Sequence, residues 1–213
     1  PLVLGQLIPP SWSTKVETFS DHLLLILFFP SYNKEKRESR PRELDIIVTK
    51  NILVTSHYDS MPSLKEVFDQ CSKNAQKQEQ WTTQGTGSLL YHVLQTLWED
   101  CSEKVNRIDH KLSVIEESIF QGKEREMLRE ISLVKADIMN FWKIVRPQKG
   151  IFTSLRDLSG EFFGPQLTPY FSHMRNHWAK VASNLLAHKE TIEALEDTNN
   201  ALLSHKTNEI MKV

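Results

Sequence analysis

Two histidines four residues apart are the side chains in this sequence whose spacing best fits a chemical role. His173 and His177 fall in a segment with helical periodicity, and residues at positions i and i+4 lie on one face of a helix. Two imidazoles placed in this way can bind Zn²⁺ or Co²⁺ through nitrogen. The alternative is a pair of histidines at the surface or in a packing interface, because such pairs arise often in a chain with 8 histidines. We favour this second interpretation.

Motifs for enzymatic chemistry do not occur in the sequence. It contains neither Gly-x-Ser-x-Gly nor His-Glu-x-x-His, and no loop whose glycines could hold a phosphate. Its two cysteines, Cys71 and Cys101, are 30 residues apart, which is neither a metal-binding nor a redox spacing. We therefore expect reduced thiols in a cytosolic protein, and a chain that is not an enzyme.

The composition is that of an ordinary globular protein without a surface for nucleic acid. Of 213 residues, 39% are hydrophobic and 25% are charged, and the formal net charge is −1. The basic run from Lys34 to Arg42 is predicted to lie on a solvated hairpin loop, so no nucleic-acid partner is expected. The longest apolar run, Leu23 to Phe29, is much shorter than the roughly 20 residues that span a bilayer as a helix. With no leader segment at its start, the polypeptide is expected to be soluble.

The first third of the chain has the pattern of β-strands. Leu23 to Phe29 predicts a short buried strand that is closed by Pro30. Two runs rich in β-branched residues, Leu44 to Val48 and Ile52 to Thr55, are separated by Thr49-Lys50-Asn51. They predict a hairpin in which Asn51 supplies the turn.

Helical patterns follow the strands. Ser63-Leu64-Lys65-Glu66 fits a capping box and predicts a helix through about Asn74. Gln76 to Thr83 is interpreted as a polar linker, after which Ser88 could cap the next helix.

Two long amphipathic segments then predict an antiparallel helical hairpin. Apolar residues recur at steps of three and four from Gly87 to a stop near Gly122, and again from Met127 to Val145. A further short helix is predicted around Ile151 to Ser159. The acidic residues at the tip of the hairpin could attract cations, but basic residues are interspersed with them, so an ordinary solvated surface is expected there. The acidic ones are Glu116, Glu117, Glu124 and Glu126.

The last segment, Leu167 to Val213, predicts a very long helix. It contains no Gly or Pro after Pro169, and we expect it to continue past Val213 because no helix-ending signal precedes that residue. At 1.5 Å per residue it would extend roughly 65 to 70 Å, more than its own fold can bury. Its apolar stripe becomes polar in the second half, at His188, Asn199 and Lys206. We therefore expect the chain to associate with itself.

Together these patterns predict an α/β protein of the α+β type. A small α/β/α sandwich is expected over residues 1–83 and a long helical hairpin over residues 84–160. The stalk helix is expected over residues 161–213.

Several short segments in order along nearly the whole chain belong together. The segments are Pro1-Leu2-Val3-Leu4, Lys15-Val16-Glu17, Val48-Thr49-Lys50-Asn51, Pro169-Tyr170-Phe171 followed by His177, and Thr207-Asn208-Glu209-Ile210-Met211-Lys212-Val213. Taken together they resemble the cytoplasmic part of the CorA family of divalent-cation channels, which transport magnesium and cobalt. In that family the last of these segments leads directly into the first membrane helix.

The resemblance implies a homopentameric funnel on the cytoplasmic side of the inner membrane. Stalk helices line the axis of such a funnel, the hairpin helices pack outside them, and the stalk leads to membrane helices that this sequence lacks. Mg²⁺ is the cation that the resemblance implies first, with Co²⁺ or Zn²⁺ as alternatives.

The resemblance also implies that a familiar magnesium sensor is missing. In the family, an acidic pair near the start and an Asp on the stalk bind cytosolic Mg²⁺ between neighbouring subunits. The matching positions here are Gly5, Gln6 and His173. All three lack the carboxylate that Mg²⁺ prefers, and an imidazole suits Zn²⁺ or Co²⁺ better.

Lower on the stalk the resemblance implies residues near a pore. Asp197 matches a family Asp that forms a ring, Asn208 a polar ring at the pore entrance, and Met211 an apolar constriction. The alternatives are a surface charge for Asp197 and plain packing for Met211. We expect a cytoplasmic regulatory domain of a CorA-like Mg²⁺ or Co²⁺ channel. A zinc transporter domain of the ZntB type and a soluble helical scaffold without a transport role remain as alternatives.

Overall fold

The computed structural model describes residue 11 and residues 13–211 of the chain. Within these residues, a four-stranded sheet is followed by six α-helices. The strands are β1 (Lys15–Thr18), β2 (His22–Asn33), β3 (Glu38–Thr49) and β4 (Leu53–Ser56). The helices are α1 (Pro62–Lys73), α2 (Ala75–Thr82), α3 (Thr86–Phe120), α4 (Glu124–Val145), α5 (Lys149–Phe162) and α6 (Thr168–Ile210). Single 3₁₀ turns link α4 to α5 and α5 to α6.

The sheet is an antiparallel meander in the order β1-β2-β3-β4. Side chains alternate between the two faces of a strand, so every second residue of β2 shares a face with its partner in β3. One face belongs to the hydrophobic cluster that the helices complete. Its paired residues are Leu23 with Val48, Leu25 with Ile46, and Leu27 with Leu44. The predicted strand at Leu23 and the predicted hairpin through Thr49-Lys50-Asn51 are confirmed.

Strand β2 is longer than the sequence predicts. Pro30 does not close it, because Pro30 lies opposite Pro41 of β3 and the pairing continues to Asn33. Proline cannot donate to a sheet ladder, but two prolines at one pair leave no N–H there that needs an acceptor. The basic run is therefore divided between a turn at residues 34–37 and the beginning of β3.

Two helices follow β4 where the sequence predicts a helix and a linker. The capping box at Ser63 is wrong, because Pro62 is the first helical residue and no side chain caps α1. The linker predicted from Gln76 to Thr83 is wrong too, since helix α2 occupies it and Asn74 Oδ1 accepts the N–H of Lys77 at 3.1 Å. Helix α2 has no buried residue, so apolar periodicity could not reveal it.

Helices α3 and α4 form the predicted hairpin. Helix α3 spans 35 residues and ends two residues before Gly122, whose φ of +86° suits glycine. Its N-cap is Gly85 rather than the predicted Ser88. The buried apolar residues recur at steps of three and four in both helices. In α4 they are Met127, Ile131, Val134, Ile138, Phe141, Ile144 and Val145.

Helix α6 has 43 residues and confirms the predicted stalk, although Lys212 and Val213 lie outside the described residues. It packs against α3, α4 and α5. Its buried stripe consists of Phe171, Met174, Trp178, Val181, Ala182, Leu185, Ile192, Leu195 and Asn199. Past Asn199, no described residue of α6 is buried.

Polar side chains join the sheet to the helices. Gln148 Nε2 donates to the carbonyl oxygen of Phe28 at 2.6 Å, and Lys104 Nζ donates to that of Pro30 at 2.7 Å. Both bonds hold β2 against the helical part of the chain. The predicted α+β class, a small sheet with a mostly helical remainder and a long C-terminal helix, is confirmed.

Candidate functional site

The two histidines lie in the interface between α6 and α3. His173 Nδ1 is 3.0 Å from the hydroxyl oxygen of Tyr91, and His177 Nε2 is 3.0 Å from Oγ of Ser102. The centroids of the two imidazole rings are 6.2 Å apart. The structure therefore places both rings on one face of α6, as the spacing predicts, and gives each ring one partner on α3.

Each ring retains one nitrogen for other chemistry. Burial lowers the pKa of His177, so its imidazole is neutral at physiological pH and one of its nitrogens carries no proton. A neutral imidazole nitrogen is a metal ligand. Among the described residues, neither Nε2 of His173 nor Nδ1 of His177 has a hydrogen-bond partner in the same chain.

Two nitrogen ligands do not complete a metal site. Zinc sites in proteins have three or four protein ligands. Over residues 11 and 13–211, no three His, Cys, Asp or Glu side chains come close enough together to hold a metal ion. A metal at His173 and His177 would therefore need at least one ligand from water or from another molecule.

The three predicted pore-proximal residues share one exposed face of α6. Asp197, Asn208 and Met211 are all exposed, Met211 at 75%. Spacings of 11 and 14 residues rotate Asn208 and Met211 by only about 20° and 40° from Asp197 around the helix. This face is turned away from the buried stripe, which ends at Asn199. The structure thus aligns these three residues along the helix and separates them from the two histidines.

Two predicted positions cannot be placed. Gly5 and Gln6, the positions where the resemblance expects an acidic pair, lie outside the described residues.

Asp45 in β3 is a buried acid that the sequence did not single out. Its exposure is 2%, and neither carboxylate oxygen has a hydrogen-bond partner. Burial, together with the nearby Glu43, raises the pKa of Asp45 to about 7. The signal in the sequence was an acid within the β-branched run Leu44 to Val48. Its meaning depended on whether both faces of β3 are covered, which sequence alone does not show.

Glu124 at the hairpin tip was also missed. The sequence predicts a solvated charge, but the residue is buried and its carboxylate binds Lys206 of α6. Asn199 of α6 donates to the carbonyl oxygen of Glu124 at 3.0 Å. The available signal was the presence of Asn199 and Lys206 on the apolar stripe, where polar residues need polar partners.

A sizeable cavity lies elsewhere. It has a volume of about 690 Å³ and lies between the edge of β3 and the last turns of α4. Phe28, Tyr58 and Ile144 contribute to its lining, and none of the predicted site residues does.

The comparisons with known proteins agree with this architecture. The family described as "CorA-like Mg2+ transporter protein" matches residues 1–213. The chain belongs to this family. Every helix and strand described above therefore lies within the part that CorA-like proteins share.

Two relatives illustrate how far this similarity extends. "Cobalt/magnesium transport protein CorA" of Thermotoga maritima is 24% identical over 214 residues, which is 100% of this chain and 60% of that protein. The solved structure of the CorA magnesium transporter from Methanocaldococcus jannaschii has a TM-score of 0.84 at 20% identity, over 98% of this chain and 64% of that one. The chain thus spans less than two thirds of the length of the CorA relatives it matches.

A zinc-related structure shares the fold as well. The ZntB cytoplasmic domain from Vibrio parahaemolyticus has a TM-score of 0.76 at 11% identity, over 96% of this chain and 79% of that one. At this identity the likeness shows the fold alone. In the described part of this CorA-like chain, none of the helices combines the length and the apolar character needed to cross a bilayer.

Proposed function

We propose that this chain is the cytoplasmic, funnel-forming domain of a CorA-like divalent-cation channel, in which it collects cations and controls their permeation. The match of the whole chain to the family carries this proposal. The long helix α6 supports it, because its last part presents polar and apolar residues on one exposed face. The domain has no catalytic role in this proposal.

In this proposal, residues on the exposed face of α6 interact with the cations. In a homopentamer, five copies of Asp197 would form a ring of carboxylates that concentrates cations without removing their water. Further along the helix, Asn208 amide oxygens would hold hydrated Mg²⁺ through its water shell. Met211 would form an apolar constriction next to them.

Mg²⁺ is the cation we propose first, with Co²⁺ second, because both are named for the relatives of this chain. The sequence has no carboxylate at Gly5, Gln6 or His173. Regulation by Mg²⁺ at those positions would therefore be absent, and control of opening would depend on other contacts of the domain. The proposal places the domain on the cytoplasmic side of the inner membrane.

A zinc transporter domain of the ZntB type is the second candidate. The observation that favours it is the pair His173 and His177, whose rings each keep one nitrogen for a metal. A neighbouring subunit could supply the further ligand that the described residues of one chain do not provide. In this alternative the transported cation is Zn²⁺.

A growth experiment tests the proposal. A chimera in which this chain replaces the matching part of the Thermotoga maritima relative is expressed in a bacterial strain that lacks its own Mg²⁺ uptake. We expect growth at low Mg²⁺, and several-fold weaker growth with Asp197→Asn, because the carboxylate ring concentrates cations. Glu161→Gln, an exposed carboxylate on α5, is the control and should grow like the unsubstituted chimera.

The possible outcomes separate the candidates. Growth that Asp197→Asn and Glu161→Gln leave equally strong would remove the proposed role of Asp197. If the chimera reaches the membrane but supports only Zn²⁺ transport, the second candidate is correct. If it supports no transport at all, the chain behaves as a helical scaffold and the pore roles must be withdrawn.

A further inference from the structure

Three residues connect the tip of the α3–α4 hairpin to the C-terminal part of α6, one on the hairpin and two on α6. Both carboxylate oxygens of Glu124 contact Lys206 Nζ, at 2.6 Å and 2.8 Å. Asn199 Nδ2 donates to the backbone carbonyl oxygen of Glu124 at 3.0 Å. Asn199 and Lys206 are seven residues apart, so two turns of helix place them on the same side of α6. We call Glu124, Asn199 and Lys206 the tip latch.

Among the described residues, Glu124 forms an ion pair with one cation, Lys206. The Glu124 side chain is 5% exposed, whereas that of Lys206 is 50% exposed. Hydrogen bonding to Lys206 lowers the pKa of Glu124, so the carboxylate is ionised. A carboxylate withdrawn from water becomes strongly unfavourable when its single cationic partner is removed. Lys206 is half exposed, whereas the Glu124 side chain is 5% exposed and gains water when the hairpin tip separates from α6.

The side-chain oxygen of Asn199, in contrast, favours separation of the hairpin tip from α6. It is fully buried, and its Oδ1 has no hydrogen-bond partner. A buried acceptor without a partner is unfavourable, and exposure to water would satisfy it. The latch therefore contains two interactions that hold the two elements together, the Glu124–Lys206 ion pair and the hydrogen bond from Asn199 to the Glu124 carbonyl oxygen, and one atom that gains a partner when they separate.

The tip latch contacts α6 at the point where the buried part of the helix ends. Asn199 is the last buried residue of α6, Leu202 and Leu203 are half-buried, and all described residues from Ser204 onward are exposed. Lys206 reaches back to the hairpin turn, since a Cβ on Gly122 would lie 3.6 Å from its Nζ. Beyond the latch, the described part of α6 has no buried surface that could hold it in place.

We propose that the tip latch is a releasable switch that sets whether the last turns of α6 are docked on the hairpin or free of it. When Lys206 pairs with Glu124, the helix is held to its end. When the pair separates, the segment from Asn199 onward leaves the hairpin and withdraws the half-buried Leu202 from its contact with the hydrophobic core, while the buried apolar residues of α6 up to Leu195 stay in place. The proposal concerns the chain itself and holds whether or not the chain belongs to a channel.

Hydrogen–deuterium exchange of the full chain tests this switch. Lys206→Met leaves the buried Glu124 carboxylate without a cation, so amide exchange should become about tenfold faster at residues 121–128 and 200–211. Exchange in the core of α3, at residues 90–101, should not change. Glu124→Gln leaves no unpaired charge and should accelerate the same two segments less. If Lys206→Met does not fold, Glu124→Gln alone decides the question.

A second ion pair between the same helices provides the control. Lys135 Nζ of α4 lies 2.6 Å from Glu196 Oε2 of α6, but the Glu196 side chain is 38% exposed and can return to water. Lys135→Met should therefore leave exchange at residues 200–211 within about twofold of the unsubstituted chain. Three results would overturn the proposal. One is unchanged exchange at the two latch segments, the second is equal acceleration throughout the chain, and the third is an equal effect of Lys135→Met.

Discussion

Nδ1 of His173 lies 3.0 Å from the hydroxyl oxygen of Tyr91, across the interface between α6 and α3. Tyr91 is separated from His173 by 82 positions in the sequence and is only 8% exposed. The contact gives the histidine a structural role in helix packing. It also fixes the ring, so that a metal could approach only through Nε2.

Metal binding at the histidine pair should depend on both rings. If Zn²⁺ binds, a concentration ten times its Kd stabilises the folded state by about 1.4 kcal/mol, which raises the Tm by roughly 3–6 °C. We expect Co²⁺ to act less strongly and Mg²⁺ not at all, because imidazole nitrogen is a poor ligand for Mg²⁺. His173→Ala should abolish the zinc response. The control is His205→Ala, which removes an exposed histidine from the same helix and should retain the response.

Tyr91→Phe should separate packing from metal binding. The substitution retains the ring but removes the hydroxyl group that meets His173, so the free energy of unfolding should fall by about 1 kcal/mol. Urea denaturation measures this change. The same variant should bind Zn²⁺ at least as tightly as the unsubstituted chain, because His173 Nδ1 is released. Weaker zinc binding would mean that the hydroxyl orients the ring for the metal.

Asp45→Asn should change how stability depends on pH. The folded chain raises the pKa of Asp45 to about 7, above the value of about 4 for an unfolded chain. Between these two values the folded state binds a proton that the unfolded state does not, so this group lowers stability as pH rises. The Tm of Asp45→Asn relative to that of the unsubstituted chain should rise from pH 4 to pH 7 and stay constant above.

Thermal unfolding at pH 4, 5, 6, 7 and 8 checks the prediction for Asp45. Glu35→Gln, in the exposed turn between β2 and β3, is the matched control and should keep a constant Tm difference over this range. A flat difference for Asp45→Asn would contradict a protonated Asp45 in the folded chain.

Gly87→Ala should destabilise the contact between the start of α3 and the start of α6. A Cβ at Gly87 would lie 2.5 Å from Leu167 Cδ1 and 2.6 Å from Phe163 Cγ, which is closer than atoms can approach. We expect a loss of about 1–3 kcal/mol in the free energy of unfolding. At Gly150 in α5 a Cβ would meet nothing within 4 Å, so Gly150→Ala should stabilise by up to about 1 kcal/mol. Urea denaturation of both variants compares them, and equal effects would contradict this packing.

The long helices could be predicted because their apolar residues repeat over many turns. Helix α3 was predicted within three residues of both ends, since Gly122 marks its stop and its stripe continues without interruption. Helix α2 and the part of β2 that follows Pro30 could not be predicted. The first buries no residue, and the second continues through Pro30, which from sequence alone indicates an end.

Less of the candidate site than of the fold could be predicted from the sequence. A spacing of four residues was enough to place His173 and His177 on one face of α6. It could not show that Tyr91 and Ser102, on another helix, are their partners. For the same reason Glu124 was predicted to be a solvated charge, because Lys206 is 82 positions away in the sequence. Local patterns report periodicity, whereas these contacts depend on how the helices pack.

Cation flux tests the central claim most directly. The chimera that joins this chain to the membrane part of the Thermotoga maritima relative would be placed in liposomes loaded with a Mg²⁺-sensitive dye, under an inside-negative potential. The account predicts Mg²⁺ entry that rises with the potential and falls several-fold with Asp197→Asn. A chimera that is folded and inserted, yet passes no Mg²⁺ at any potential, would contradict it.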